Sequence, residues 1–301
     1  MKKSKNYSEV EILEEPTILT GEKILDDFLS TNGGFVKRSS IFLTGTSGAG
    51  KTTFVAHLQK IFGSIKSSFY SREMTASAVK AQTIGMNISH KNAYICDIND
   101  CPTVEDYIKE LDELKPEIVM VDSLQVIAYE DFPEKSIDVV EFNIIQSLRK
   151  WVEKNDAVLI VIGHVTKEGE FRGNNTILQM FDAHMEMKYD KKTNTRIMSW
   201  GHKNRKGPLG MIYYEIAKSG VKFYSVEQWE RVKNKKSLDG FIDDAIKSYI
   251  LSLDKKGENF SEFKKEYNKK VDVLTDKLNG LDLTVACAHL LRECINKYSI
   301  D

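Results

Sequence analysis

Residues 40–54 read SIFLTGTSGAGKTTF: an apolar run ending in glycine, a glycine-rich loop, then the start of an amphipathic stretch. Gly45, Thr46, Ser47, Gly48, Ala49, Gly50, Lys51 and Thr52 follow the spacing G-x-x-x-x-G-K-[ST] of a phosphate-binding loop set between a strand and a helix. Each residue type has a reason. Glycines let the backbone curl so that successive N–H groups face the phosphates, Lys51 meets the β and γ phosphates, and the Thr52 hydroxyl completes a Mg2+ shell. With Thr53, these residues form the candidate nucleotide-phosphate site.

Outward from this loop, between Ser39 and Val221, short apolar runs alternate with amphipathic helical stretches. That pattern predicts an α/β domain with a mainly parallel central sheet. The runs expected to be strands are SIFLTG at 40–45, SSFYS at 67–71, NAYICD at 92–97, EIVMVD at 117–122 and AVLIVIGH at 157–164. RIMSWGHK at 196–203 and MIYYEIA at 211–217 are expected as antiparallel additions at the sheet edge. After Ser225 apolar residues step at three and four, as in amphipathic helices, and predict a helical module over 238–301. Its boundary is set in the polar segment ERVKNKKS at 230–237, leaving a core of 16–229 and an N-terminal extension of 1–15.

Composition narrows the function classes. The 301 residues are 41% hydrophobic and 29% charged with a formal net charge of −1, which argues against disorder and against a bulk polybasic grip on nucleic acid. Any nucleic-acid contact must be local. Cys96, Cys101, Cys287 and Cys294 lack C-x2-C spacing, so reduced thiols are expected rather than a zinc site. The basic start has no apolar segment behind it, and no run approaches 18 apolar residues. The expectation is a cytoplasmic protein without membrane contact.

A phosphate loop needs a carboxylate that holds Mg2+ from the end of a buried strand, expected here beside the P-loop strand. Asp122, closing the run in EIVMVDSLQ, supplies one; the bland alternative is a helix-capping Asp. Hydrolysis also needs a group that polarises water. Glu73, in FYSREMTASAVKA, is the best placed carboxylate, against the alternative of a first-turn acid that favours the helix dipole. The stretch GHKNRKGPLG at 201–210 puts His202, Lys203, Arg205 and Lys206 in an expected turn closed by Gly207 and Pro208, with no anion nearby in sequence.

Taken together, TGTSGAGKTT, SREM, VDSLQ, IGHVTKEGEFRG and KNRKG resemble the RecA-type motor domain of the bacterial RadA (Sms) family, over roughly residues 16–225. SREM also resembles DnaB-type replicative helicases. The resemblance implies a RecA-like P-loop NTPase core, an ATP- and Mg2+-dependent activity, and a homo-oligomer, either a hexameric ring or a filament, acting on single-stranded DNA. It implies that Glu73 is the catalytic glutamate and that His164 senses the γ phosphate. It places Lys167, Arg172 and Asn174 in a DNA-binding loop, although Glu168 and Glu170 weaken that loop's charge. Lys203 and Arg205 match the KNRFG motif, whose cations in RecA-like rings reach the ATP of the neighbouring subunit. Lys206 stands where the motif has Phe. The expectation is a motor domain without the four-cysteine zinc module and the Lon-like domain of this family, and the C-terminal helices are a candidate module for a protein partner. Two other classes compete: a regulatory ATPase similar to KaiC, whose usual pair of adjacent glutamates is here Arg72 and Glu73, and a helicase-loading accessory protein.

Overall fold

The computed structural model describes residues 7–9, 15–131, 136–163 and 175–234, with residues 265, 268–270 and 272. The chain divides into two compact units, Met1–Tyr224 and Ser225–Asp301. The expected helical module falls almost wholly outside the described residues, as do Cys287 and Cys294. The first unit carries the phosphate-binding loop.

The lead-in to the P-loop strand is a small antiparallel pair, β1 (Thr17–Ile18) and β2 (Phe35–Val36), joined by α1 (Lys23–Leu29). Then come β3 (Ser40–Gly45), α2 (Lys51–Ile61), β4 (Ser67–Ser71), α3 (Ala76–Gln82), β5 (Ala93–Cys96) and α4 (Val104–Leu114). They are followed by β6 (Ile118–Asp122), α5 (Leu124–Asp131), α6 (Ile137–Lys154), β7 (Val158–Ile162) and α7 (Asn175–Met180). The unit ends with β8 (Ala183–Asp190), β9 (Thr195–Asn204), β10 (Met211–Ala217) and β11 (Gly220–Tyr224). The large sheet has nine strands in the order β11-β10-β9-β8-β3-β7-β6-β4-β5. From β8 to β5 neighbours run parallel; β8, β9, β10 and β11 pair antiparallel.

Strands β3, β4, β6 and β7 are buried at every position, as a parallel sheet covered on both faces requires. Alternation divides their side chains between two cores. Ile41 and Leu43 join Leu25, Phe54, Leu58 and Trp200 on the face of α1 and α2. Phe42, Val119 and Val121 join Tyr107, Ile145, Leu148 and Trp151 on the face of α4 and α6. No helix among the described residues is long and apolar enough to cross a membrane.

Three expectations are corrected. Asp122 closes β6, but β6 is not beside the P-loop strand: β7 lies between them, because the connection from β3 through α2 to β4 skips positions that β6 and β7 later fill. Second, β8 has no counterpart among the expected strands, yet it pairs parallel with β3 from Ile41↔Ala183 to Gly45↔Met187. Third, the basic stretch is not all turn. β9 runs on through Asn204, so where the strand expected at 196–203 overlaps the turn expected at 201–210, His202 and Lys203 belong to the strand, held there by the Ala183↔Asn204 pairing.

One buried group gives a testable pH dependence. His57 on α2 is 4% exposed, and neither ring nitrogen has a hydrogen-bond partner among the described residues. Burial, with a smaller contribution from the Lys60 charge, lowers its pKa to about 4. Between about 4 and 6.5 the unfolded chain therefore carries a proton that the folded chain does not, so stability falls as pH falls through that window. Urea titrations at pH 6.5 and pH 5 are expected to show the parent losing about 2 kcal/mol more than His57→Leu.

Candidate nucleotide site

The loop that leaves β3 is curled by left-handed residues. Gly48 has φ 79° and Gly50 has φ 95°, values that side-chain-bearing residues adopt only with strain. A Cβ on Gly50 would come within 2.3 Å of Ile216 Cδ1, whereas one on Gly48 would meet nothing within 4 Å. The loop is thus packed at Gly50 and open beside Gly48. Its outer side is anchored: Thr46 N–H donates to Met187 O (3.2 Å), Tyr189 N–H to Thr46 Oγ1 (3.2 Å), and the Tyr214 hydroxyl to Ala49 O (2.8 Å). Ser47 and Gly48 are exposed, and Thr46, Gly50, Lys51, Thr52 and Thr53 half-buried. Helix α2 starts at Lys51 with no side chain capping its N-terminus, which leaves the positive end of its dipole available to an anion.

Lys51 Nζ donates back to Gly45 O at 3.0 Å. Burial pushes the lysine pKa down, and the carboxylates of Asp122 and Glu73 oppose that shift. The Thr52 hydroxyl donates to Asp122 Oδ2 at 2.7 Å, so the two candidate Mg2+ oxygens already lie together. Among the described residues no group of three or more His, Cys, Asp or Glu side chains is arranged to hold a metal ion. Two protein oxygens beside a phosphate cradle fit Mg2+, which keeps several waters and takes few protein ligands.

Glu73 is exposed at the C-terminal end of β4, in a segment fixed on both sides. Arg72 N–H donates to Asp122 O (2.7 Å), Ser71 Oγ donates to Met74 O (2.7 Å), and Asp97 Oδ2 accepts from Ala76 N–H (2.6 Å). The Ala76 N–H bond is the main reason that Asp97 sits below the usual carboxylate range. Lys51, Thr52, Asp122 and Glu73 thus converge at the C-terminal ends of β3, β6 and β4.

Lys203 and Arg205 do not join them. β9 is antiparallel to β8, and Asn204 pairs with Ala183 at the end of the sheet where β3 begins. The length of β3, about 17 Å of extended strand, separates that end from the P-loop. There Lys203 Nζ donates to Gln179 O at 2.8 Å, and partial burial with the Arg205 charge lowers its pKa. The Arg205 guanidinium lies 3.7 Å from Asp182 Oδ1 and is 60% exposed. Asp182, which sequence reading missed, also accepts from Ser40 N–H (2.9 Å) and Ser40 Oγ (2.8 Å). An aspartate ahead of an unread strand offered no signal beyond a turn cue. Lys206 is ion-paired with Glu15, and its carbonyl accepts from Thr31 N–H, so it ties the basic turn to its own chain. His164, Lys167, Arg172 and Asn174 lie outside the described residues.

No protein-family model matches the chain. Among curated proteins it is similar to the DNA repair protein RadA of Haemophilus influenzae, 27% identical over 214 residues, covering 70% of this chain and 45% of that protein. RadA of Halalkalibacterium halodurans is 26% identical over 223 residues, with 73% and 48% covered. RadA of Escherichia coli is 25% identical over 214 residues, with 70% and 45% covered. The chain spans about half the length of these relatives. Among solved structures, a KaiC-like protein from the hyperthermophilic archaeon Pyrococcus horikoshii superposes with a TM-score of 0.57 at 16% identity, covering 70% of this chain and 100% of that one. The chain therefore has a RecA-like α/β core, and it resembles RadA over the part that carries that core.

Proposed function

We propose that the chain is a Mg2+-dependent ATPase of the RecA/RadA type that assembles as a homo-oligomer and acts as a motor on single-stranded DNA in recombination, repair or replication. The observation that carries this reading is the convergence of Lys51, Thr52, Asp122 and Glu73 beside a loop with open space at Gly48. Backbone N–H groups of the loop and the start of α2 bind the phosphates, and Lys51 swings from Gly45 O to the β and γ oxygens. Thr52 and Asp122 would hold Mg2+, which supplies charge neutralisation on those oxygens. Glu73 orients a water and takes its proton. Lys203 and Arg205, too far from their own P-loop, serve a neighbouring copy.

The DNA part of the reading is supported by the likeness to proteins named for DNA repair. Its test is ATPase rate with and without single-stranded DNA at low salt. A several-fold rise is expected, shrinking as salt is added because phosphate contacts dominate such binding. A rate indifferent to DNA sinks the motor reading. ATP-dependent assembly without that stimulation would instead fit a KaiC-like regulatory ATPase or a helicase-loading accessory protein.

A further inference from the structure

The residue beside Glu73 is a buried arginine. Arg72 and Glu73 follow the last residue of β4, Ser71. Glu73 is exposed and its charge reaches Lys51, while Arg72 packs with Tyr70, its Cζ 5.6 Å from that ring, and its side chain is 1% exposed. There Arg72 Nη1 donates to the Tyr70 hydroxyl (2.7 Å) and to Pro102 O (3.1 Å), and Nη2 donates to Glu130 Oε2 on α5 (2.7 Å). Its backbone N–H holds Asp122 O. One residue thus joins the strand end that carries Glu73, the strand end that carries Asp122, the loop before α4, and α5. A buried ion pair adds little net stability, since desolvation offsets its attraction. The planar guanidinium fork instead fixes direction, which a lysine or an apolar residue cannot do.

We propose that Arg72, braced by Glu130, is the positioning residue that aims Glu73 at the nucleotide site; the inference rests on the ATPase reading above. Its test is Glu130→Ala, a change at a partly exposed position, with steady-state ATPase and hydrogen exchange of residues 71–77 measured on the full chain. Removing the brace is expected to lower kcat roughly tenfold with KM within about twofold, because catalysis suffers from small misplacements that binding tolerates. Exchange over 71–77 is expected to speed up at least about threefold. Glu130→Gln, which keeps the acceptor oxygen, should stay within about threefold of the parent kcat. Parent-like exchange in Glu130→Ala overturns the proposal, and so does a parent-like kcat in an active enzyme. If the parent chain hydrolyses no ATP, the proposed function fails on its own, and exchange alone decides whether Glu130 braces the segment.

Discussion

Glu73→Gln is expected to bind ATP as tightly as the parent chain and to hydrolyse it at least about a hundredfold more slowly, the usual effect of losing a positioned general base. The segment around Glu73 is held by bonds from Arg72, Ser71 and Ala76, so the amide should leave the backbone in place. Thr52 and Asp122 keep their mutual bond, and phosphate and metal binding survive. Binding of a fluorescent ATP analogue and single-turnover hydrolysis measure the two properties separately. Parent-like turnover in this variant removes Glu73 from the reaction. A loss of binding equal to the loss of rate would instead mean that the carboxylate supports the ground state.

The second large effect concerns Arg205. Arg205→Ala is expected to lower turnover on the order of a thousandfold, the scale of an arginine delivered across a subunit boundary. Lys51→Ala should be equally inactive. Mixed in equal amounts, the two are expected to regain about a quarter of the parent rate per site, since one interface in four pairs an intact loop with an intact cation. Co-assembly is checked by labelled subunits. Complete absence of recovery in confirmed mixed assemblies would place the action of Arg205 within its own chain. That outcome would demand a large rearrangement, because Arg205 sits by Asp182 at the opposite end of the sheet from the P-loop.

The P-loop was legible in the sequence because phosphate binding demands contiguous residues of fixed type. Asp122 was legible as the end of an apolar run, but the strand order around it was not, since order follows from crossovers rather than from any one segment. β8 escaped notice because its inward residues are Ala183, Met185 and Met187, interleaved with His184, Glu186 and Lys188. His184 is nonetheless buried, its Nε2 2.7 Å from Thr44 Oγ1. The basic stretch offered both a strand run reaching Lys203 and the turn cues Gly207 and Pro208, and only the pairing of Asn204 with Ala183 decides where β9 gives way to the turn. Nothing in the sequence marks Arg72 for burial; only the fold supplies Tyr70, Pro102 and Glu130 around it. Lys206, unplaced from sequence, is occupied by Glu15 of its own chain.

The distance between the P-loop and the basic end of β9 also sets how active sites are counted. On the proposed reading a single copy holds two halves of different sites and completes neither. Copies joined head to tail make one fewer complete site than there are copies when the row stays open, and as many sites as copies when it closes on itself. Specific activity should then climb steeply with protein concentration through the shortest assemblies and level off once rows are long or closed. A copy lacking both Lys51 and Arg205 would silence the two sites it borders, and a copy lacking either one alone would silence a single site, while the rest of the row stays at work.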